Sequence, residues 1–150
     1  MNELFRRKGI RVMSLRYRDG KALLYLYRPR RLQKDLEHGT ARQLLERFGY
    51  PTGNGKYIMQ NYCIAHLTER LCAEHDFPHE IGLFLGYPPE DVRGFIDDGS
   101  RACKASGYWK VYGDVQEAEK LFGKYRKCTG VYLRCWRNGT PVEKLAVAVR

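Results

Sequence analysis

The residue types best suited to acid–base or metal chemistry lie together between positions 75 and 80. His75, Asp76, His79 and Glu80 place two imidazoles and two carboxylates within six residues. Such a set can transfer protons or bind a metal ion. The same carboxylates also suit the start of a helix at Pro78, where negative charge stabilises the helix dipole. We favour this structural interpretation, and the sequence predicts no catalytic residue.

The five cysteines form a second candidate set. Their number is odd, no C-x-x-C pair occurs, and no signal peptide precedes them, which is typical of reduced thiols in the cytoplasm. Cys103, Cys128 and Cys135 with a histidine such as His79 are candidate metal ligands, but their spacing matches no zinc pattern. A free cysteine is also a common core residue. We therefore expect a cytoplasmic protein without disulfides, bound metal or cofactor.

The chain has 150 residues, a length that fits a single domain over 1–150. Charge is distributed unevenly along it. Residues 1–50 hold 13 cations and 5 anions, residues 51–100 hold 3 and 8, and residues 101–150 hold 11 and 4, giving net charges of +8, −5 and +7. If the two basic ends adjoin, they form a surface that attracts nucleic acid or an acidic protein. If the acidic middle packs against them, the charge cancels internally.

No apolar run is long enough to cross a membrane.

A β-hairpin is predicted near the N terminus. Residues 10–18 and 21–27 are rich in β-forming residues and flank Asp19-Gly20, a dipeptide typical of a type I′ turn. Alternation of side chains about this turn predicts a core face. Its residues are Met13, Leu15, Tyr17, Ala22, Leu24 and Leu26. The opposite face is basic and aromatic, and its candidate binding residues are Arg16, Arg18, Lys21, Tyr25 and Tyr27.

This second hairpin face gives the first functional hypothesis. Tyrosines on an exposed sheet can stack on unpaired bases while neighbouring cations hold phosphates, as single-strand and RNA binders do. We therefore expect nucleic-acid binding centred on the hairpin. The alternative is that helices cover this face and that Tyr25 and Tyr27 are core residues. Solvent access to the two tyrosines distinguishes the alternatives.

Residues 81–95 match the packing template of a DNA-binding helix-turn-helix. In DNA binding, the second helix of this motif would face the phosphates. It carries four carboxylates, those of Glu90, Asp91, Asp97 and Asp98. Only Arg93 compensates them, so this helix would be repelled by DNA. We interpret the motif as a tightly packed helical corner.

The remaining elements complete an α+β fold. Proline and glycine signals predict a central helical segment. Residues 107–112 predict a strand, Asp114 starts a helix, and residues 131–137 predict a second strand followed by a short helix. We thus expect an N-terminal hairpin, central helices, a C-terminal β-α-β unit, and a small, mainly antiparallel sheet packed by helices.

Two other functions stay open. A protein-interaction module for an acidic partner has possible anchors in Trp109, Tyr112 and Trp136, although strand positions favour core roles for both tryptophans. A metal or thiol site at the three C-terminal cysteines is the third hypothesis.

Four stretches together resemble one family: LRYRDGKALLYLYRP (15–29), FPHEIGLFLGYPPEDVRGFI (77–96), GYWKVYGD (107–114) and YRKCT (125–129). The chain resembles a bacterial domain-of-unknown-function family found mainly in anaerobic Gram-positive bacteria. The resemblance implies no activity, substrate or catalytic residue. Members of that family usually carry further residues upstream, including a His-Cys pair, so the resemblance implies a short variant.

Overall fold

The computed structural model describes residues 2–53, 58–73 and 77–147, and it confirms the α+β class. The elements are α1 (Asn2–Arg7), β1 (Arg11–Arg18), β2 (Lys21–Tyr27), α2 (Pro29–Leu36), α3 (Gly39–Arg47), α4 (Gln60–Cys72), α5 (Ile81–Phe84), α6 (Pro89–Asp98), β3 (Ala105–Ser106), β4 (Lys110–Val111), α7 (Val115–Arg137) and α8 (Val142–Leu145). The strands form two separate antiparallel pairs, β1 with β2 and β3 with β4.

The predicted N-terminal hairpin is confirmed, including its turn. Asp19 and Gly20 both have positive φ, at 51° and 73°, as a type I′ turn requires. The register departs from simple alternation because a bulge lies between Ser14 and Arg16. Beyond the bulge Met13 therefore pairs with Tyr25, one residue away from the Leu26 partner that simple alternation gives.

The predicted core face of the hairpin is wrong except at Leu15, which is buried. Tyr17 and Leu24 are 73% and 52% exposed, whereas Tyr25, on the opposite face, is only 6% exposed. The physical reason is the extra residue of the bulge, which lets Leu15 turn to the same buried side as Tyr25. The Tyr25 hydroxyl donates a 2.5 Å hydrogen bond to the Phe84 carbonyl in α5. The hairpin is thus anchored to the helices through Tyr25 and Leu15.

The larger core lies where the hairpin meets α2, α3, α4, α5 and α6. Its fully buried side chains include Leu36, Leu45, Ile58, Ile64 and Leu67. Glu80 is buried at its edge, where it accepts hydrogen bonds from the Tyr50 hydroxyl (2.9 Å) and the Arg70 guanidinium (2.5 Å). Burial and the adjacent Glu80 carboxylate raise the pKa of Tyr50. Glu80 therefore has a structural role, paired and satisfied within the core.

The helix-turn-helix motif is present as the corner between α5 and α6, and its tight packing depends on glycines. A Cβ added to Gly82 would lie 2.8 Å from a Val92 methyl, and one added to Gly94 would lie 2.3 Å from the Tyr112 ring. On α6, Glu90, Asp97 and Asp98 are exposed and Asp91 is buried. The corner is built for close packing, as the sequence predicts.

A smaller core joins β3, β4 and the first half of α7. It contains Trp109, Val111, Ala118 and Phe122, and the Trp109 and Phe122 rings meet edge to face with centroids 4.6 Å apart. Asp114 begins α7, since its side chain accepts a 3.0 Å hydrogen bond from the Glu117 amide.

The predicted C-terminal β-α-β unit is corrected in both strands. Within residues 107–112 only Lys110 and Val111 are paired as a strand, against Ala105 and Ser106. Residues 131–137 are the last turns of α7, which runs for 23 residues. A strand at that position would need a neighbouring strand for its backbone hydrogen bonds, whereas a helix satisfies them internally. One long helix therefore takes the place of a helix and a strand.

Candidate functional site

The second half of α7 presents a basic and aromatic surface. Between positions 124 and 137 no residue is an aspartate or glutamate, and no side chain is fully buried. Its cations are Lys124, Arg126, Lys127, Arg134 and Arg137. Three large aromatic residues lie among them: Tyr125, Tyr132 and Trp136 are 37%, 43% and 59% exposed. We call residues 124–137 the basic helix segment.

Helical periodicity explains why this segment is exposed. Ala118 and Phe122 are the buried residues of α7, and steps of three, four and seven residues carry their stripe on to Tyr125, Tyr132 and Trp136. The smaller core ends near Phe122, so the later members of the stripe have no core to enter. The helix therefore extends its apolar face beyond the core that covers its first half.

A groove lies between α7 and the part of the molecule formed by the hairpin and α2. Its volume is about 800 Å³. Four tyrosines line it, Tyr25 and Tyr27 from the hairpin and Tyr125 and Tyr132 from α7. The Tyr25 and Tyr27 rings are stacked, with centroids 4.9 Å apart and planes 10° apart. We call this space the tyrosine groove.

The structure divides the predicted hairpin set into two groups. Tyr25 and Tyr27 line the tyrosine groove, but Tyr25 is buried, and burial raises the pKa of its hydroxyl. Tyr27 is half-buried, and its pKa is raised for the same reason. Arg16, Arg18 and Lys21 instead line a shallow depression near the turn. Tyr27 is therefore the member best placed to meet a ligand ring.

Two of the hairpin cations already have contacts. Arg16 donates a 3.2 Å hydrogen bond to the Leu71 carbonyl. Arg18 lies 3.6 Å from the Asp19 carboxylate in a fully exposed pair, which holds the arginine weakly. Lys21 is exposed at the turn. The depression is thus cationic, but less so than the sequence pattern alone predicts.

The two basic ends of the chain are neighbours in space. The Lys8 ammonium donates 2.6 Å hydrogen bonds to the carbonyls of Glu143 and Ala146. The Arg28 guanidinium links the Lys8 carbonyl (2.7 Å) to the Val147 carbonyl (2.5 Å). These contacts tie the last described residues to the start of the chain and close one end of the groove, which Val147 and Arg28 also line.

The candidate chemical centres do not assemble. His75 and Asp76 lie outside the described residues, and Glu80 is committed to Tyr50 and Arg70. Across the described ranges, no group of three or more His, Cys, Asp or Glu side chains is arranged to hold a metal ion. This includes Cys103, Cys128, Cys135 and His79. All five cysteines are free thiols.

The sequence does not predict the basic helix segment, because apolar and polar residues alternate over 131–137 as they do in a strand. The signal that identifies it is the longer stripe from Ala118 to Trp136, read with helical spacing past Gly130. Read in this way, the cations and aromatic residues of 124–137 belong to one surface.

A family model described as "Protein of unknown function (DUF3793)" matches residues 1–146. The chain belongs to this family. The expected membership of a domain-of-unknown-function family is thereby confirmed, and the match spans both cores, the groove and the basic helix segment. Neither the curated proteins nor the solved structures contain a match to this DUF3793 chain. Among its described helices, none has both the length and the apolar character that a membrane crossing demands.

Proposed function

We propose that this protein binds single-stranded nucleic acid, with RNA as the main candidate, through the basic helix segment and the tyrosine groove. The observation that carries the proposal is a run of 14 helical residues with five cations and no carboxylate, interrupted by exposed tyrosine and tryptophan. Cations attract the phosphate backbone, and aromatic faces stack on bases of any sequence. The combination favours a polyanion with planar groups.

The groove supports single-stranded over double-stranded ligands. Stacking on a tyrosine requires a base that has left its own stack, which unpaired strands supply at low cost. Tyr27 of the hairpin and Tyr125 and Tyr132 of α7 all line the groove, so rings from both elements are available to a base that enters it. Tyr25 supports the Tyr27 ring from below through their stacked contact.

The hairpin cations have a secondary place in the proposal. Arg16, Arg18 and Lys21 line a separate depression, so a strand that lies in the groove would meet them only if it continued toward the turn. The bacterial and cytoplasmic setting expected from the sequence is part of the same proposal.

Matched charge variants test the proposal. The first variant replaces Lys124, Arg126 and Lys127 with glutamine. The control replaces Arg30, Lys34 and Arg93, three exposed cations that lie outside the basic helix segment, so both variants lose the same charge. Fluorescence anisotropy with a labelled oligouridylate of about 15 nucleotides gives the affinity.

We expect the first variant to lose at least about tenfold in affinity and the control less than about threefold. Tyr132→Ala should also lower the affinity, because one base stacked on an aromatic ring contributes about 1–3 kcal/mol to binding. Equal losses in the two charge variants would show a nonspecific charge effect and contradict the site. No binding by the wild type at low salt would contradict the function.

An acidic protein partner is the second candidate function, and one specific observation favours it. Leu133 is an exposed aliphatic residue one helical turn before the exposed Trp136. Aliphatic residues next to a tryptophan are typical of protein interfaces. The other two predicted anchors are engaged, since Trp109 is buried and Tyr112 donates to the Gly99 carbonyl at 2.6 Å. A pull-down with and without nuclease separates the two functions, because only a protein partner survives the nuclease.

A further inference from the structure

A second concave site lies on the part of the molecule formed by the helical corner and the β3–β4 turn. It has a volume of about 460 Å³, within the range of small-molecule pockets. Its walls are aromatic: Phe77, Tyr87, Phe95, Tyr108 and Trp109. Apart from Leu85, it shares no lining residue with the tyrosine groove. We call it the aromatic pocket.

Ring-to-ring contacts hold the aromatic walls of the pocket in place. Trp109 is fixed between Tyr87, stacked at 4.8 Å, and Phe122, which meets it edge to face. The His79 ring packs edge-on against both Phe95 (4.9 Å) and Phe77 (5.7 Å). Flat, fixed walls of this kind select a flat ligand, because a ring can contact them without ordering further side chains.

Polar groups on the pocket are few, and each of those able to bind a ligand can donate a hydrogen bond. His79, Ser106 and Lys110 line it, and in the described part of the chain their side chains have no hydrogen-bond or ion-pair partner. Asp91 is the acidic residue of the wall. Its two oxygens already accept three hydrogen bonds, from the Trp109 indole and the amides of Tyr112 and Gly113. The cation that stays free is the Lys110 ammonium.

We propose that the aromatic pocket binds a small planar aromatic molecule that carries an anionic group. The ring lies between the aromatic walls, and Lys110, with its cross-strand neighbour Ser106, binds the anion. Aromatic carboxylates and aromatic phosphates share this chemistry. The proposal does not depend on nucleic-acid binding by α7, because Lys110 and the ring walls lie outside the basic helix segment.

Three ligand pairs test it by isothermal titration of the full chain: indole-3-acetate with tryptophol, 2-naphthylacetate with 2-naphthylethanol, and AMP with adenosine. Each pair keeps the ring and removes the charge. We expect at least one anion to bind below about 1 mM and its neutral partner about tenfold more weakly. The preferred pair identifies a carboxylate or a phosphate as the anion. Failure of all three anions, or equal binding within every pair, overturns the proposal.

The Lys110→Met variant locates the anion, with Lys104→Met as its control. Lys104 lies before β3, is exposed, and does not line the pocket. Lys110→Met should weaken the preferred anion about tenfold and leave its neutral partner unchanged, whereas Lys104→Met should change neither. Equal effects of the two variants on the anion overturn the assignment to Lys110. Circular dichroism of each variant verifies folding, and the ligand pairs test the wild type independently of any variant.

Discussion

Asp91 accepts a 2.7 Å hydrogen bond from the Trp109 indole nitrogen, and this bond joins the two cores of the molecule. Asp91 belongs to α6, which packs on the larger core, while Trp109 belongs to the smaller core. The other carboxylate oxygen accepts the amides of Tyr112 and Gly113, both at 2.8 Å. Asp91 is therefore buried and links the two cores through these three hydrogen bonds. We call this set of hydrogen bonds the Asp91 clamp.

Removing the clamp should destabilise the protein strongly. Asp91→Ala leaves the buried Trp109 indole N–H and the part-buried amides of Tyr112 and Gly113 without their acceptor. We expect a loss of about 3 kcal/mol in the free energy of unfolding. Urea unfolding measures the loss, and near-ultraviolet circular dichroism reports the order of Trp109. Asp98→Ala, at an exposed carboxylate of the same helix, is the control and should change stability by less than about 0.5 kcal/mol. Similar losses in both variants would contradict the clamp.

Two glycines on helices should respond in opposite directions to the same change. Gly94→Ala brings a Cβ to 2.3 Å from the Tyr112 ring, and that ring is held in place by its hydrogen bond to Gly99. We expect a loss of about 1–3 kcal/mol from overpacking. A Cβ at Gly130 meets nothing within 4 Å, so Gly130→Ala should increase helicity with a gain of up to about 1 kcal/mol. Urea unfolding and circular dichroism at 222 nm measure both, and a destabilised Gly130→Ala would contradict the exposed helix.

The cysteines should separate by reactivity. Cys63 is fully buried, and burial raises the pKa of its thiol to about 11. Since the thiolate is the reactive form, this thiol stays protonated and unreactive near neutral pH. Cys72 and Cys128 are exposed. Iodoacetamide at about pH 8, followed by peptide mass spectrometry, should modify Cys72 and Cys128 first and Cys63 only after unfolding. Early modification of Cys63 in the folded protein would contradict its position in the core.

The sequence was sufficient for the features that depend on local chemistry. Asp19-Gly20 specifies a turn with positive φ at both residues, and Asp114 specifies a helix start. The small residue Gly82, within the template at 81–95, marks the tight helical corner. Each of these is determined by one or two residues and their immediate neighbours.

The sequence-based predictions fail where the local sequence allows two structures and a contact with a distant part of the chain determines which one forms. The hairpin has apolar residues on both faces, so only the bulge at Leu15 and the contact of Tyr25 with Phe84 determine which face is buried. Likewise residues 131–137 suit a strand locally, but no partner strand exists for them in the described chain. The sequence places the candidate site on the hairpin and the structure places it on α7. They differ because the exposure of a surface depends on what packs against it.

The salt dependence of oligouridylate binding tests the central claim most directly. If three cations of the basic helix segment contact phosphates, log affinity should fall against log salt with a slope of about −2, since each contact to a single strand contributes about −0.7. The Lys124, Arg126 and Lys127 glutamine variant should flatten that slope, and the Arg30, Lys34 and Arg93 variant should retain it. A slope near zero in the wild type, or the same slope in all three proteins, would contradict phosphate binding by α7.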